Sequence, residues 1–282
     1  MHKNIETFIG CENGYEESKI CVFGAPFDST TSFRPGTRFA SHAMRYESWG
    51  LETYSPYQDK DLNDIRVFDC GDLELPFGDP EPALKQIKEL SAKIMDDNKI
   101  PCMIGGEHLV TLSAVRATAE RYKDLYIIHF DAHTDLRDEY LGQKLSHASV
   151  IRRCHELVGD KKIFQFGIRS GERYEFEFAE EHNTINKFNL AGLEEAILKI
   201  GGRPAYFTLD LDVLDPSVFP GTGTPEPGGV TFDELLSAVI KIGKLNIVGM
   251  DINELCPVYD QSGASTAVAC KILRELLLAV WK

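Results

Sequence analysis

Nothing in the 282 residues is apolar for long: the greasiest run, LLLAVW at 276–281, is six residues. A bilayer needs ~20, so no membrane-spanning helix is expected. The opening MHKNIETFIGCENGYEE has no apolar h-region, which excludes a signal peptide and points to a cytoplasmic chain. Cysteine is sparse and unpaired in pattern: seven residues, an odd number, with no C-x-x-C. That excludes a secreted disulfide scaffold and fits a reducing compartment. Basic charge is also scarce, with 30 Lys and Arg against 44 Asp and Glu and a net charge of −14. Nucleic acid and anionic membrane surfaces are therefore poor partners, while an acidic field favours a small cationic ligand. Neither G-x-G-x-x-G after a strand nor G-x-x-x-x-G-K-[ST] occurs, which disfavours dinucleotide and ATP chemistry.

No Pro/Gly/Ser linker, repeat or low-complexity tract divides the chain, so residues 1–282 read as one domain. What is present is a rhythm. Short apolar runs at 19–25, 65–70, 100–106, 125–131, 162–168, 183–188, 205–211 and 245–252 read as buried strands. Amphipathic stretches lie between most of them. In 83–97, Leu84, Ile87, Leu90 and Ile94 share one helical face. In 231–243, Thr231 caps, Glu234 completes a capping box and Gly243 stops the helix. Alternating strands and helices predict a parallel sheet covered by helices, either a closed barrel or an open doubly wound sheet. In both, sites form at the carboxyl ends of the strands.

Three strand ends carry the same kind of residue. LYIIHF runs into Asp131, His133 and Asp135, which an extended chain would point to one side. AYFTL runs into Asp210 and Asp212. IPCMIGG runs into Glu107 and His108, with two glycines that permit close backbone approach. Any one of these alone is an ordinary hydrogen-bonded or solvated loop. Together they place four carboxylates and two imidazoles at the rim of one sheet, where crowded like charges are costly unless cations neutralise them. Four carboxylates and two neutral imidazoles balance two divalent ions. Oxygen-rich ligation without Cys favours Mn over Zn. In such pairs a shared water becomes a hydroxide nucleophile near neutral pH, so metal-assisted hydrolysis is expected. His147, in the polar segment after Asp135, is a candidate proton shuttle, or simply the start of the next helix with Ser146 as its cap. Glu254, at the last strand end, is a candidate anchor for a cationic substrate.

GGEH (105–108), DAHTD (131–135) and TLDLDVLDPSVFPGTGTPEPGG (208–229) closely resemble the signature segments of the ureohydrolase family of arginases and agmatinases. Residues 24–45 and 251–260 also look like family segments, so the resemblance spans about residues 20–280. It implies a three-layer α/β/α fold with an open, mostly parallel eight-stranded sheet, and a centre of two Mn²⁺ ions. His108, Asp131, His133, Asp135, Asp210 and Asp212 would hold the metals, with at least one Asp shared. Asp135 would also help move the proton, His147 would be the shuttle and Glu254 would grip the guanidinium. The implied reaction releases urea and an amine from a small cationic guanidine. GTGTPEPGG and H-T-D-L-R-D-E-Y look more like agmatinases than arginases, which points to agmatine and polyamine biosynthesis. Asp138 or Glu139 could draw in agmatine's ammonium, whereas Arg137 could pair with Asp138 or welcome an acidic substrate such as guanidinobutyrate. Homo-oligomers, often trimers or hexamers, are usual in the family. His2, His42, His129, His155, His182 and Cys256 carry no assigned role, and His129 reads as a satisfied core histidine.

Overall fold

The protein was analysed as a computed structural model describing residues 6–282. Residues 1–5, which include His2 and the start of the segment read as lacking a signal peptide, lie outside the described residues. All eight apolar runs form strands of one sheet. They are β1 (Ile20–Gly24), β4 (Val67–Asp72), β5 (Ile100–Ile104), β6 (Tyr126–Phe130), β7 (Ile163–Ile168), β8 (Thr184–Lys187), β9 (Pro204–Asp210) and β10 (Asn246–Asn253). Their order is β4-β1-β5-β10-β9-β6-β7-β8, and every pairing is parallel. The sheet is open, with β4 and β8 at its edges. A small antiparallel hairpin, β2 (Tyr54–Ser55) with β3 (Lys60–Asp61), stands apart.

Side chains alternate across the pleat, so each strand feeds two cores. Ile20 and Val22 face one, Cys21 and Phe23 the other. The first core is covered by α1 (Ala40–Ser48), α6 (Leu193–Ile200), α7 (Phe232–Ile242) and α8 (Ala264–Val280). The second lies under α2 (Pro80–Asp96), α3 (Thr111–Arg121), α4 (Val150–Val158) and α5 (Arg173–His182). A parallel strand buried on both faces needs this double cover, which is why the strands read as apolar runs rather than alternations. The expected face of α2 is buried at Leu84, Ile87 and Ile94, with Leu90 at its margin. α7 begins with the predicted reciprocal cap between Thr231 and Glu234.

All seven cysteines are free thiols. Among the described residues no helix is long and apolar enough to cross a membrane. The four strands at the middle of the sheet, β5, β10, β9 and β6, are neighbours, and their carboxyl ends carry Glu107–His108, Glu254, Asp210–Asp212 and Asp131–Asp135.

A candidate binuclear metal centre

His108 begins the turn that leads into α3, and its ring is buried. Its Nε2 lies 2.9 Å from Thr208 Oγ1, and that hydroxyl donates to Asp251 Oδ1 at 2.6 Å. With its hydrogen committed to Asp251, the Thr208 oxygen accepts from His108, so Nε2 carries the ring proton. Nδ1 is then a bare lone pair. It faces Asp131 Oδ2 at 3.0 Å, Asp135 Oδ2 at 3.0 Å and Asp210 Oδ2 at 3.5 Å. A neutral nitrogen aimed at three carboxylate oxygens is repulsive unless a cation sits among them.

The second imidazole repeats the pattern. His133 Nδ1 is 2.9 Å from Asp212 Oδ2 and 3.5 Å from Asp131 Oδ1. Asp131 therefore offers one oxygen to the His108 group and the other to the His133 group. One ligand atom from each of His108, His129, Asp131 and Asp135 lies within 4.8 Å of the others, as does one from each of Asp131, His133 and Asp212, so Asp131 belongs to both groups. Asp210 adjoins the first, 3.5 Å from His108 Nδ1. His129 is committed to Asp131 by its hydrogen bond, which leaves hard oxygens and one available imidazole nitrogen for each group, a set that fits two divalent ions such as Mn²⁺.

The electrostatics agree. Burial opposes charge on His108, but the hydrogen bonds that a protonated Nδ1 donates to Asp131 and Asp135 outweigh it and push its pKa well above the usual range, so a proton takes the cation's place where no metal is bound. For His133, burial is likewise outweighed, chiefly by Asp212. Burial, with Asp131 beside it, lifts Asp135 to about 7. Burial and the nearby Asp212 raise Asp210 well above the ordinary carboxylate range. These four groups are displaced towards the form that lowers net negative charge, as bound cations would require. Asp131 moves the other way: burial opposes its charge, but His129 and hydrogen bonds from His108, His129 and His133 outweigh it and hold the shared carboxylate ionised, well below its ordinary pKa.

The side chains of DAHTD converge, but not by extension. β6 ends at Phe130, and Asp135 adopts a left-handed φ of 51°. The backbone turns because Asp131 Oδ1 accepts from the His133 amide at 2.6 Å and Asp212 Oδ1 accepts from the Ala132 amide at 3.0 Å. Glu254 is also left-handed, with φ 66°, and its Oε1 accepts from the His108 amide at 2.7 Å. A non-glycine residue in that region is strained, and two such residues meet at one buried site. Burial, with Glu107 near, lifts the Glu254 pKa well above normal. The glycines of GGEH serve the protein itself: a Cβ at Gly105 would strike Asn253 Oδ1 and one at Gly106 would strike Phe27 O.

A cleft of about 290 Å³ opens over His133 and Asp135, and His147, Tyr140, Arg137 and Glu172 form part of its wall. His147 starts the next helical segment, as the cap at Ser146 suggested, and its ring is placed at the cleft with Nε2 3.0 Å from Ser32 Oγ. Burial and the positive pull of His133 lower its pKa to about 4, which keeps the ring neutral near pH 7. Arg137 does not pair with Asp138. It bonds Glu172 at 3.3 Å, lies 3.8 Å from Glu175 and stacks over Tyr140 at 4.6 Å. Asp138 is turned outward onto Arg153 at 2.8 Å, and Glu139 is exposed; neither lines the cleft.

Three further groups support the site: Glu107, noted at its strand end without a role, His129, read as a core histidine, and Gln165, which carried no signal in the sequence. Glu107 is buried and accepts from Thr30 N at 2.9 Å, from Thr30 Oγ1 and from Thr31 Oγ1 at 3.1 Å. Thr30 Oγ1 in turn accepts from the His147 amide at 3.1 Å, so Glu107 ties the cleft wall to the first metal strand. His129 is satisfied, as expected of a core histidine, but its partner is Asp131 Oδ2 at 2.8 Å. Gln165 Nε2 donates to Thr134 O and to His129 Nδ1, and Asn183 Nδ2 donates to Gln165 Oε1. That chain fixes the tautomer: His129 must donate from Nε2 to Asp131.

The sequence profile of the arginase family matches residues 18–279. The chain belongs to the arginase family. An agmatinase of Bacillus cereus is 47% identical over 97% of this chain and 96% of its own length. An agmatinase of Bacillus subtilis (strain 168) is 47% identical over 98% and 97%. A Clostridium difficile structure described as that of a candidate agmatinase superposes with a TM-score of 0.93, at 56% identity, covering 95% of this chain and 99% of that one. The protein is thus a ureohydrolase with the arginase-family fold, and the three-layer architecture expected from the resemblance is the one observed.

Proposed function

We propose that this ureohydrolase is an agmatinase that uses two Mn²⁺ ions to release putrescine and urea from agmatine. The observation that carries the reading is the pair of imidazole nitrogens, His108 Nδ1 and His133 Nδ1, each facing carboxylates and sharing Asp131. His108, Asp131, Asp135 and Asp210 form one donor set; Asp131, His133 and Asp212 form the other. When bound, the two cations would supply an activated water and would stabilise charge at the carbon under attack.

This chain's residues do the rest. Glu254, buried and tied to the His108 backbone, grips the guanidinium by charge-assisted hydrogen bonds. Asp135, at the boundary between centre and cleft, passes the proton of the attacking water to the departing amine. His147, neutral and facing the cleft, exchanges that proton with solvent at Nε2 through Ser32. The far wall favours a cationic tail. Arg137 is occupied by Glu172 and Glu175, so the cleft has no free guanidinium to receive a carboxylate, while Glu172 remains half exposed at its mouth.

Arg137 is also what favours a second reading, a guanidino-acid hydrolase, should a substrate carboxylate draw it from Glu172. Urea release by the Mn-loaded protein from agmatine, arginine and 4-guanidinobutyrate, with formamide release from formiminoglutamate measured alongside, separates them. Agmatine turned over well above the others, and lost on metal removal, is expected. A preference for guanidinobutyrate would move the assignment to the sister specificity. No urea from any guanidine with two metals bound would overturn the reaction.

A further inference from the structure

A second group of imidazoles and carboxylate lies away from the strand ends. His155 is on α4, Asp160 follows that helix, and His182 is the last residue of α5. His155 Nε2 is 3.4 Å and His182 Nδ1 is 2.9 Å from the same oxygen, Asp160 Oδ1. One ligand atom from each residue lies within 4.8 Å of the others. With metal–nitrogen and metal–oxygen bonds of ~2.0–2.2 Å, adjacent ligand atoms sit about 2.9 Å apart at right angles and about 3.4 Å apart at the tetrahedral angle. The His155–Asp160 spacing is the tetrahedral value, while the His182–Asp160 spacing is that of a hydrogen bond, which a metal between the two would replace.

His155 supplies an independent reason for a cation. Its Nδ1 is buried beside Asn183, and neither that nitrogen nor Asn183 Oδ1 has a partner in good geometry. If Nδ1 carries the proton, Asn183 is satisfied, but Nε2 becomes a lone pair facing a carboxylate oxygen. If Nε2 carries it, Nδ1 and Asn183 Oδ1 remain as two buried acceptors without a donor. Each neutral tautomer leaves a conflict. Protonating both nitrogens would relieve it only by placing a charged ring in a pocket where the side chain is 13% exposed. A metal on Nε2 relieves it without that cost, fixing Nδ1–H on Asn183 as an outer hydrogen bond to a ligating imidazole.

The surroundings suit this. Phe178 packs edge-on to His155 at 5.0 Å and against His182 at 4.3 Å, which orders both rings. α4 and α5 both end here, and their C-terminal dipoles favour positive charge. Lys161, which donates to the Glu180 and Asn183 carbonyls, and Arg152, stacked on Phe178, add positive charge nearby; Glu181, 3.9 Å from His182, offsets part of it.

We propose that His155, Asp160 and His182 form a third divalent-cation site, for an imidazole-preferring ion such as Zn²⁺ rather than Mn²⁺. Two imidazoles to one carboxylate is the ligand ratio that zinc prefers, and manganese stands lowest in the affinity order for such donors. The inference is independent of the reaction proposed above.

The test is total metal content after the Mn-loaded protein is dialysed against micromolar Zn²⁺, comparing wild type with His155→Gln, His182→Gln and the surface change Asp160→Asn. Counting all metals together makes exchange at the main centre cancel. Wild type is expected to hold one equivalent more than each variant, and its zinc-dependent rise in melting temperature should vanish in all three. If a histidine variant fails to fold, the exposed Asp160→Asn decides. Equal metal content in wild type and folded variants would overturn the proposal, as would a third equivalent that survives in them.

Discussion

Two carboxylate clusters on strands of the same sheet, one at its edge and one at its middle, are neutralised in different ways. At the edge, Asp69 and Asp72 of β4 are held by Arg45, whose Nε and Nη2 meet Asp69 at 2.8 and 2.9 Å while Nη1 takes Asp72. Asp69 also accepts the Phe8 and Gly71 amides, so its oxygens are fully used. In the middle of the sheet, Asp131, Asp135, Asp210 and Asp212 find only histidines at ion-pair distance among the described residues. An arginine stands where the charge is structural, and none stands within ion-pair distance, among the described residues, of the carboxylates proposed to hold metal. A built-in guanidinium would fill the space and cancel the field that a divalent ion needs.

That contrast predicts opposite outcomes for removing charge from the two clusters. In the centre, Asp210→Asn should cut urea release by about 10³-fold or more, at least ~4 kcal/mol of transition-state stabilisation, with bound metal falling below two equivalents. Its metal-free form should nonetheless melt no lower than wild type at pH 7. The folded-state pKa of Asp210 is raised, so the ionised group opposes folding above that pKa and its removal relieves the metal-free protein. A clear drop in the metal-free melting temperature would break the comparison. At the edge, Arg45→Ala should do the reverse: a loss of ~3–5 kcal/mol in denaturant unfolding, because the buried Asp69 is left uncompensated and the exposed Asp72 loses its cation. A stable Arg45→Ala protein would show that the edge cluster does not depend on its arginine.

Smaller effects separate ligands from the groups around them. His147→Ala should lower kcat about 10²-fold, ~2.7 kcal/mol, with both metals retained, since the ring has no ligand role. Burial holds the His147 pKa at about 4, so the unfolded chain takes up the proton first as pH falls. Stability from this group is therefore present above pH ~6.5 and is lost as pH falls towards about 4. The alanine variant should show a flatter acid slope across that window, and an unchanged slope would count against a neutral ring. His129→Asn should weaken Mn²⁺ binding about tenfold by freeing Asp131 from its hydrogen bond, and Mn²⁺ titration of the apo protein reads this directly.

Much of this was readable in the sequence because strands buried on both faces must be apolar runs, and their ends were marked by Asp and His. All eight strands and the six proposed ligands follow from that pattern. The local geometry did not. An extended DAHTD was the natural expectation from period-2 alternation, yet the positive φ of Asp135 depends on hydrogen bonds from elements outside the segment, including Asp212 from β9's end. The β2–β3 hairpin left no trace because two-residue strands have no period. The partner of Arg137 lies 35 residues away, and the relay from Asn183 through Gln165 to His129 joins three strands' worth of chain. Such pairings exist only once the sheet order is known.

If two divalent ions occupy the donor sets that share Asp131, Mn²⁺ bound there will be magnetically coupled. Electron paramagnetic resonance of the protein loaded with Mn²⁺ tests this paired occupancy most directly, with metal content measured on the same sample. Two equivalents giving a spin-coupled manganese spectrum, replaced in Asp131→Asn by an uncoupled signal or none, is the predicted result. One equivalent at saturation, or two that show no coupling, would contradict it.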